Sequence, residues 1–212
     1  MIMDLQWVMT LFLILPTILL TTLYVVLYIR SSKRFRAESL TDDLMSIKNR
    51  RYINTFFPEI VNEHYKNISP LSVIMVDVDH FKQYNDRYGH QEGDRALVEI
   101  SAAISATVRK TDTVCRYGGE ELLVILADSG PNTAELIAER IQAAVVDLAI
   151  KHDDGVKSGV VTVSQGIFSA VPGKIDSDKE FIMHADRKLY EAKKSGRNRY
   201  VIAEEDPLPV LL

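Results

Sequence analysis

The stretch Arg116-Tyr117-Gly118-Gly119-Glu120-Glu121-Leu122 joins two apolar runs. Val114 and Cys115 precede it, and Leu123 to Leu126 follow. Extended segments meeting at a Gly-Gly pair read as a β-hairpin, because glycine accepts the positive φ of a tight turn. An ordinary hairpin turn accounts for the glycines but not for Glu120 and Glu121. Two carboxylates beside a turn without side chains repel each other unless a cation or solvent offsets the charge. Bare backbone at Gly118 and Gly119 lets a bulky anion come close. Together these features predict a metal–phosphate site at a hairpin tip.

A second acidic group lies upstream. Leu71 to Val76 is a nearly continuous apolar run, as in a buried strand, and it ends in Asp77-Val78-Asp79. Carboxylates at a strand end, near a second pair on a hairpin, suit Mg²⁺, which takes hard oxygen ligands and shares them with substrate phosphates. Asp77 and Glu120 are the preferred ligands, and Asp79 is read as structural.

Elsewhere strands and helices alternate. Strands are expected at Pro70 to Asp79, across the hairpin from Thr113 to Leu126, at Val160 to Phe168 and at Tyr200 to Ala203. Helices are expected from Asn49, with Pro58 as a break or kink, from Gly93-Asp94, from a cap at Asn132 or Thr133 to about Ile150, and from Phe181 to Lys194. Phe81 to Tyr88 reads as a loop or short helix closed by Gly89. This is an α/β sheet with helices packed on it.

Trp7 to Ile29 carries no charge and is long enough to cross a hydrocarbon core of about 30 Å. Arg30, Lys33, Arg34 and Arg36 follow, so the positive-inside rule puts the rest of the chain in the cytoplasm and the amino terminus outside. The expectation is a single-pass protein of the bacterial inner membrane, with no room before the span for an outer sensor domain. The expected divisions are an anchor over 1–29, a juxtamembrane linker over 30–41, a catalytic domain over 42–203 and a tail over 204–212. The 212 residues suit one domain plus a short accessory segment, and the net charge of −4 gives no footing for nucleic acid. The single cysteine, Cys115, excludes an internal disulfide and is read as strand packing.

RYGGEEL, with DVDHFKQYNDRYGHQEGD upstream and YEAKKSGRN downstream, resembles the GGDEF family of diguanylate cyclases over roughly Asp42 to Ile202. The resemblance implies a palm-like, ferredoxin-like sheet with a central hairpin. It also implies condensation of two GTP into cyclic di-GMP and two pyrophosphates by a homodimer of one-GTP half-sites. Two Mg²⁺ per GTP site are implied, with Mn²⁺ as the alternative. The Val78 carbonyl joins the metal ligands, and Glu121 either binds metal or deprotonates the attacking hydroxyl. Asn85 and Asp94 match the guanine-reading positions, a helix N-cap being the competing role for Asp94. Lys82 and the amides around His80, Phe81 and Lys82 match the triphosphate cradle. Lys193 and Arg197 match a phosphate-binding pair, and Arg116 stands beside the signature to stabilise phosphate charge. Arg109 and Asp112, with Arg140 as helper, match a site where the product inhibits. Three departures stand out: Met45 and Ser46 replace Thr and Gly of the opening D-x-L-T-G-L-x-N-R-R motif, and Leu122 replaces Phe in the signature. The alternative reading is a catalytically inactive domain that serves as a GTP or cyclic di-GMP receptor.

Overall fold

The computed structural model of the protein describes residues 14–26, 39–153, 158–173 and 177–204. The chain forms two compact units, Met1–Ser39 and Leu40–Leu212. In the first, residues 14–26 form helix α1. Large apolar side chains such as Ile14, Leu19 and Tyr24 are exposed along it. The hydroxyls of Thr21 and Thr22 turn back onto carbonyls of the preceding turn, at 2.9 and 2.6 Å.

Among the described residues no helix is long and apolar enough to cross a membrane. The spanning helix expected over Trp7–Ile29 is therefore not supported. Residues 14–26, the described part of that stretch, account for about 20 Å of a core of about 30 Å. The remainder of the expected span, most of the expected linker and nearly all of the tail lie outside the described residues.

The second unit runs α2 (Arg50–Asn67), β1 (Leu71–Val78), α3 (Phe81–Tyr88), α4 (His90–Thr107), β2 (Thr113–Gly118), β3 (Glu121–Ala127), α5 (Pro131–Asp147), β4 (Val163–Ala170), α6 (Asp178–Lys194) and β5 (Tyr200–Glu204). The strands form one sheet in the order β2-β3-β1-β4-β5. β1 pairs antiparallel with both β3 and β4, and β5 adds parallel to β4. The palm-like α/β architecture expected from the sequence is present as a mixed five-stranded sheet.

Helices cover both faces, which is why β1 is buried at every position and reads as a nearly continuous apolar run broken by Ser72 and Asp77. On one face Ile74, Val76, Leu122 and Val124 pack with Leu97 and Ile100 of α4 and Ile137 and Ile141 of α5. On the other, Val73, Met75, Leu123 and Ile125 pack with Ile53 and Phe57 of α2 and Phe181, Ala185 and Leu189 of α6. Cys115 belongs to the second core, where burial pushes its thiol up to about 12. Leu122 is fully buried, so its departure from Phe is a packing change.

Several expected boundaries move. α4 starts at His90 with Gly89 as its cap, so Gly93-Asp94 lies inside the helix and Asp94 is not an N-cap. α5 starts at Pro131 after Gly130, earlier than a cap at Asn132 or Thr133, because Pro fits the first helical position. α2 continues through Pro58 without a break. β4 starts at Val163, since Val160 only bridges Lys151. α6 starts at Asp178, behind a reciprocal capping box of Ser177 and Glu180.

The opening motif forms a turn held by Asp42, whose Oδ1 accepts the amides of Leu44 at 3.1 Å and Met45 at 2.9 Å. Met45 is buried in the α4 face core, a position an apolar side chain fills. Ser46 stands at φ 57°, a left-handed conformation that glycine adopts without strain. The two departures in this motif thus leave the turn formed.

Candidate active site

The register of the sheet assembles the site. Asp77, near the end of β1, is the direct cross-strand partner of Glu121, the first residue of β3. By alternation both share the face of Met75 and Leu123, toward α2 and α6. The last turn of α6 brings Lys193 to Asp77, with Nζ 2.8 Å from Oδ2. The hairpin closes through Gly119 and Glu120. Only Gly119 of this pair has positive φ, at 54°, so one glycine meets the turn's demand and Gly118 is free for another purpose. A side chain at Gly118 would stand 3.9 Å from both Arg50 Nη1 and Glu121 Oε2.

Burial pushes the Asp77 carboxyl up to about 6. The Lys193 ammonium opposes that rise, and Glu120 and Glu121 add to it. Glu121 is also held above the usual carboxylate range, first by burial, with Asp186 and Glu120 adding to it against Lys193 and Arg50. Burial, with a smaller contribution from the neighbouring carboxylates, thus outweighs the pull of Lys193 on both groups.

Among the described residues no group of three or more His, Cys, Asp or Glu is arranged to hold a metal ion. The residues fit a cation that a second molecule helps to ligate. Mg²⁺ is commonly held by one or two carboxylates plus substrate phosphates. Asp77, Glu120 and the Val78 carbonyl are an all-oxygen set of that kind. Asp79 is excluded as a ligand by its own bonds. It is buried and accepts from Thr162 Oγ1 at 2.7 Å, Ser164 Oγ at 2.6 Å and the Asn198 amide at 3.0 Å.

α3 leaves β1 through His80 and carries a second set of groups. Phe81 is buried and stacks on Tyr84, so only its backbone faces outward chemistry. Lys82 is exposed. The first amides of a helix have no intrahelical acceptor, and those of α3 begin at Phe81. Asn85 lies against Gly93 of α4, where an added Cβ would collide with its amide oxygen. That oxygen, Asn85 Oδ1, is buried and accepts no hydrogen bond among the described residues. Asp94 follows Gly93 and is exposed. The pair offers acceptors to a ligand with adjacent N–H donors.

Other expected residues fall elsewhere. Arg116 pairs across the sheet with Leu122, on the face opposite Asp77 and Glu121. Its guanidinium reaches both Asp42 oxygens, at 3.2 and 3.1 Å, and the Gly119 carbonyl at 2.9 Å. It braces the opening turn against the hairpin rather than facing the carboxylates. Arg197 follows α6 in left-handed conformation, and among the described residues no carboxylate pairs with it. Arg109 and Asp112 line an open groove of about 520 Å³ with Lys48, Tyr52 and Ser105. Asp112 also accepts the Arg109 amide at 2.9 Å, closing the turn. Arg140, exposed on α5, does not line that groove.

Arg50 is a site residue that the sequence reading missed. Its guanidinium lies 4.4 Å from the Tyr117 ring centroid and acts electrostatically on Glu121. Its place directly after the helix cap Asn49 was the available signal.

The chain matches the family model described as diguanylate cyclase, GGDEF domain, over residues 39–199. It is 36% identical over 173 residues to diguanylate cyclase A of Treponema denticola, covering 80% of this chain and 46% of that protein. It is 37% identical over 175 residues to the response regulator PleD of Caulobacter vibrioides, covering 82% and 38%. The chain thus spans less than half the length of these curated relatives. Its structure superposes on the coiled coil and GGDEF domain of DgcB from Caulobacter crescentus, in complex with c-di-GMP. The TM-score is 0.72 at 27% identity, over 86% of this chain and 95% of that one. With the family match covering most of its length and the signature hairpin meeting Asp77 in space, the chain belongs to the GGDEF family of diguanylate cyclase domains.

Proposed function

We propose that the chain is a diguanylate cyclase that condenses two GTP into cyclic di-GMP and two pyrophosphates. The observation that carries this reading is the cross-strand meeting of Asp77 and Glu121 beside bare glycine backbone, with Lys193 as the facing cation. Phosphoryl transfer asks for positioning and charge stabilisation more than covalent help from the protein. The orphaned acceptor of Asn85, beside Asp94, suits the N1–H and N2–H of guanine. The first amides of α3, with Lys82 and Arg197, hold triphosphate oxygens. Asp77, Glu120 and the Val78 carbonyl would hold Mg²⁺, which when bound screens phosphate charge and acidifies the attacking hydroxyl. Glu121, its carboxyl raised by burial, has the proton affinity of a base for the 3′-hydroxyl. Each 3′-hydroxyl attacks the α-phosphate of the other GTP and expels pyrophosphate, so two copies face each other as a homodimer. Purified protein supplied with GTP and Mg²⁺ is expected to release two pyrophosphates per cyclic di-GMP. Binding of GTP without any turnover would leave the receptor reading in its place.

The guanine assignment gives a sharper test. Gly93→Ala pushes a methyl into the Asn85 amide and to within 3.2 Å of Phe81 Cζ. The amide is the flexible partner and swings away. Loss of one hydrogen bond to the base raises KM for GTP by about tenfold. The melting temperature moves little. An unchanged KM would remove Asn85 from base recognition.

The groove of Arg109 and Asp112 is the proposed product-inhibition site, without Arg140 as a lining residue. Arg109→Ala removes a guanidinium fork and weakens inhibition by cyclic di-GMP by on the order of tenfold to a hundredfold. The uninhibited rate stays the same. Superimposable inhibition curves for wild type and variant would leave Asp112 as a turn residue only.

Membrane anchoring by Trp7–Ile29 is part of the proposal, with the catalytic domain on the cytoplasmic side of the inner membrane. The uncharged run and the cations after it support this. Inward-turned threonine hydroxyls on α1 suit apolar surroundings. Protease added to intact cells should leave the catalytic domain whole, and its cleavage from outside would overturn the topology.

A further inference from the structure

His152 is buried completely, far from Asp77 and Glu120 in sequence, and no role at the site accounts for it so far. It lies on one of two paired arms, residues 150–153 and 159–162, of the excursion between α5 and β4. The arms are tied by the Lys151–Val160 bridge, by the His152 amide on the Gly159 carbonyl at 3.0 Å and by the Val161 amide on the Ile150 carbonyl at 2.8 Å. The imidazole Nε2 lies 3.3 Å from the carbonyl oxygen of His80. A carbonyl only accepts, so Nε2 carries the proton and donates. Nδ1 is buried, with no hydrogen-bond partner among the described residues. The ring meets the edge of Tyr84, with centroids 5.4 Å apart at 85°.

His80 is the residue that turns β1 into α3. It takes a left-handed φ of 57° and provides no side-chain cap for the helix. A non-glycine residue holds that conformation only when its surroundings fix it. They do so here on two sides. The other arm of the excursion fixes the preceding residue, through the Asp79 amide on the Thr162 carbonyl at 2.9 Å and Thr162 Oγ1 on Asp79. His152 fixes the His80 carbonyl itself, which also accepts the Tyr84 amide at 3.0 Å. The same peptide plane sets the direction of the first amides of α3. A second tie, the Asp153 amide on Tyr88 Oη at 3.2 Å, holds the far end of that helix.

We propose that His152 is a positioning residue for nucleotide binding. It acts through the His80 carbonyl to hold the α3 amides and Asn85 where they receive GTP, and this rests on the diguanylate cyclase reading. A buried histidine kept only for packing would be replaceable by an apolar side chain of similar size. A histidine kept for its N–H would be replaceable by glutamine, whose amide reaches a similar distance.

The test uses the full chain with GTP and Mg²⁺, reading KM and kcat for product formation and, separately, affinity for a fluorescent GTP analogue. His152→Leu is expected to raise KM and weaken analogue binding by about tenfold, with kcat within twofold. His152→Gln is expected to restore both values to near wild type. Equal KM in His152→Leu and wild type would overturn the proposal, as would a loss of kcat alone. If His152→Leu fails to fold, His152→Gln decides: a tenfold rise in KM there overturns it, and wild-type KM supports it. A wild-type chain that binds no GTP analogue would instead sink the nucleotide reading, and this role with it.

Discussion

Asp77→Asn should reduce cyclic di-GMP synthesis by about a thousandfold while making the metal-free domain less sensitive to pH. The first effect follows from removing a charged oxygen where phosphate charge must be held. Such stabilisation amounts to several kcal/mol, at 1.36 kcal/mol per tenfold. The second follows from the environment of the carboxyl. Burial raises it from 3.8 to about 6, so in this range the unfolded chain loses the proton before the folded one does. Stability linked to Asp77 is therefore present in full below pH 3.8 and is lost as pH climbs through about 6. The interval corresponds to at most about 3 kcal/mol. Asparagine does not ionise, so the variant's melting temperature should fall less than that of wild type between pH 4 and 7. Mg²⁺ with GTP should stabilise the wild type more than the variant. Parallel pH profiles for the two proteins, or undiminished synthesis, would remove Asp77 from the centre of the site.

Gly166→Ala should cost about 3 kcal/mol or more, a larger penalty than most single methyl additions. Gly166 lies in β4, opposite Met75, on the face covered by α6. A Cβ there would meet the Ala185 carbonyl oxygen and the Leu189 amide nitrogen, and would stand 2.8 Å from Leu189 Cα. All of these are backbone atoms, so no side chain can swing aside and the helix itself must move. For a domain of this size the melting temperature should drop by roughly 10 °C. Synthesis should fall as well, because Lys193 lies one helical turn beyond Leu189 and depends on the seating of α6 to reach Asp77. Gly166→Ala with an unaltered melting temperature would mean that α6 can lift from the sheet at little cost.

The alternation of strands and helices, the hairpin and the pairing of two acidic clusters were legible in the order of residues alone. These are local signals: apolar periodicity, glycine at a turn, carboxylates at a strand end. The order of residues also carried the family resemblance, because several short motifs recur in fixed order. Helix starts were less legible. Pro131 and Gly89 set two of them by backbone geometry, whereas the polar residues that suggested other starts lie inside the helices.

What each polar side chain does depends on contacts that form only in the folded chain. Asp77 and Asp79 differ by one step of strand alternation from Val78, yet Asp77 meets Lys193 and Glu121. Asp79 is consumed by Thr162, Ser164 and Asn198. Arg116 stands within the signature but points to the opposite face, to Asp42, while Arg50, distant in sequence, stacks on Tyr117. Arg140 is not among the described residues that line the groove of Arg109. The physical reason is common to all of these. A side chain's charge and reach are written in its residue type, but its partner is set by strand register, by the face it occupies and by how closely a helix seats. Those depend on residues far along the chain, such as Gly166 beneath α6 and Gly93 beside Asn85.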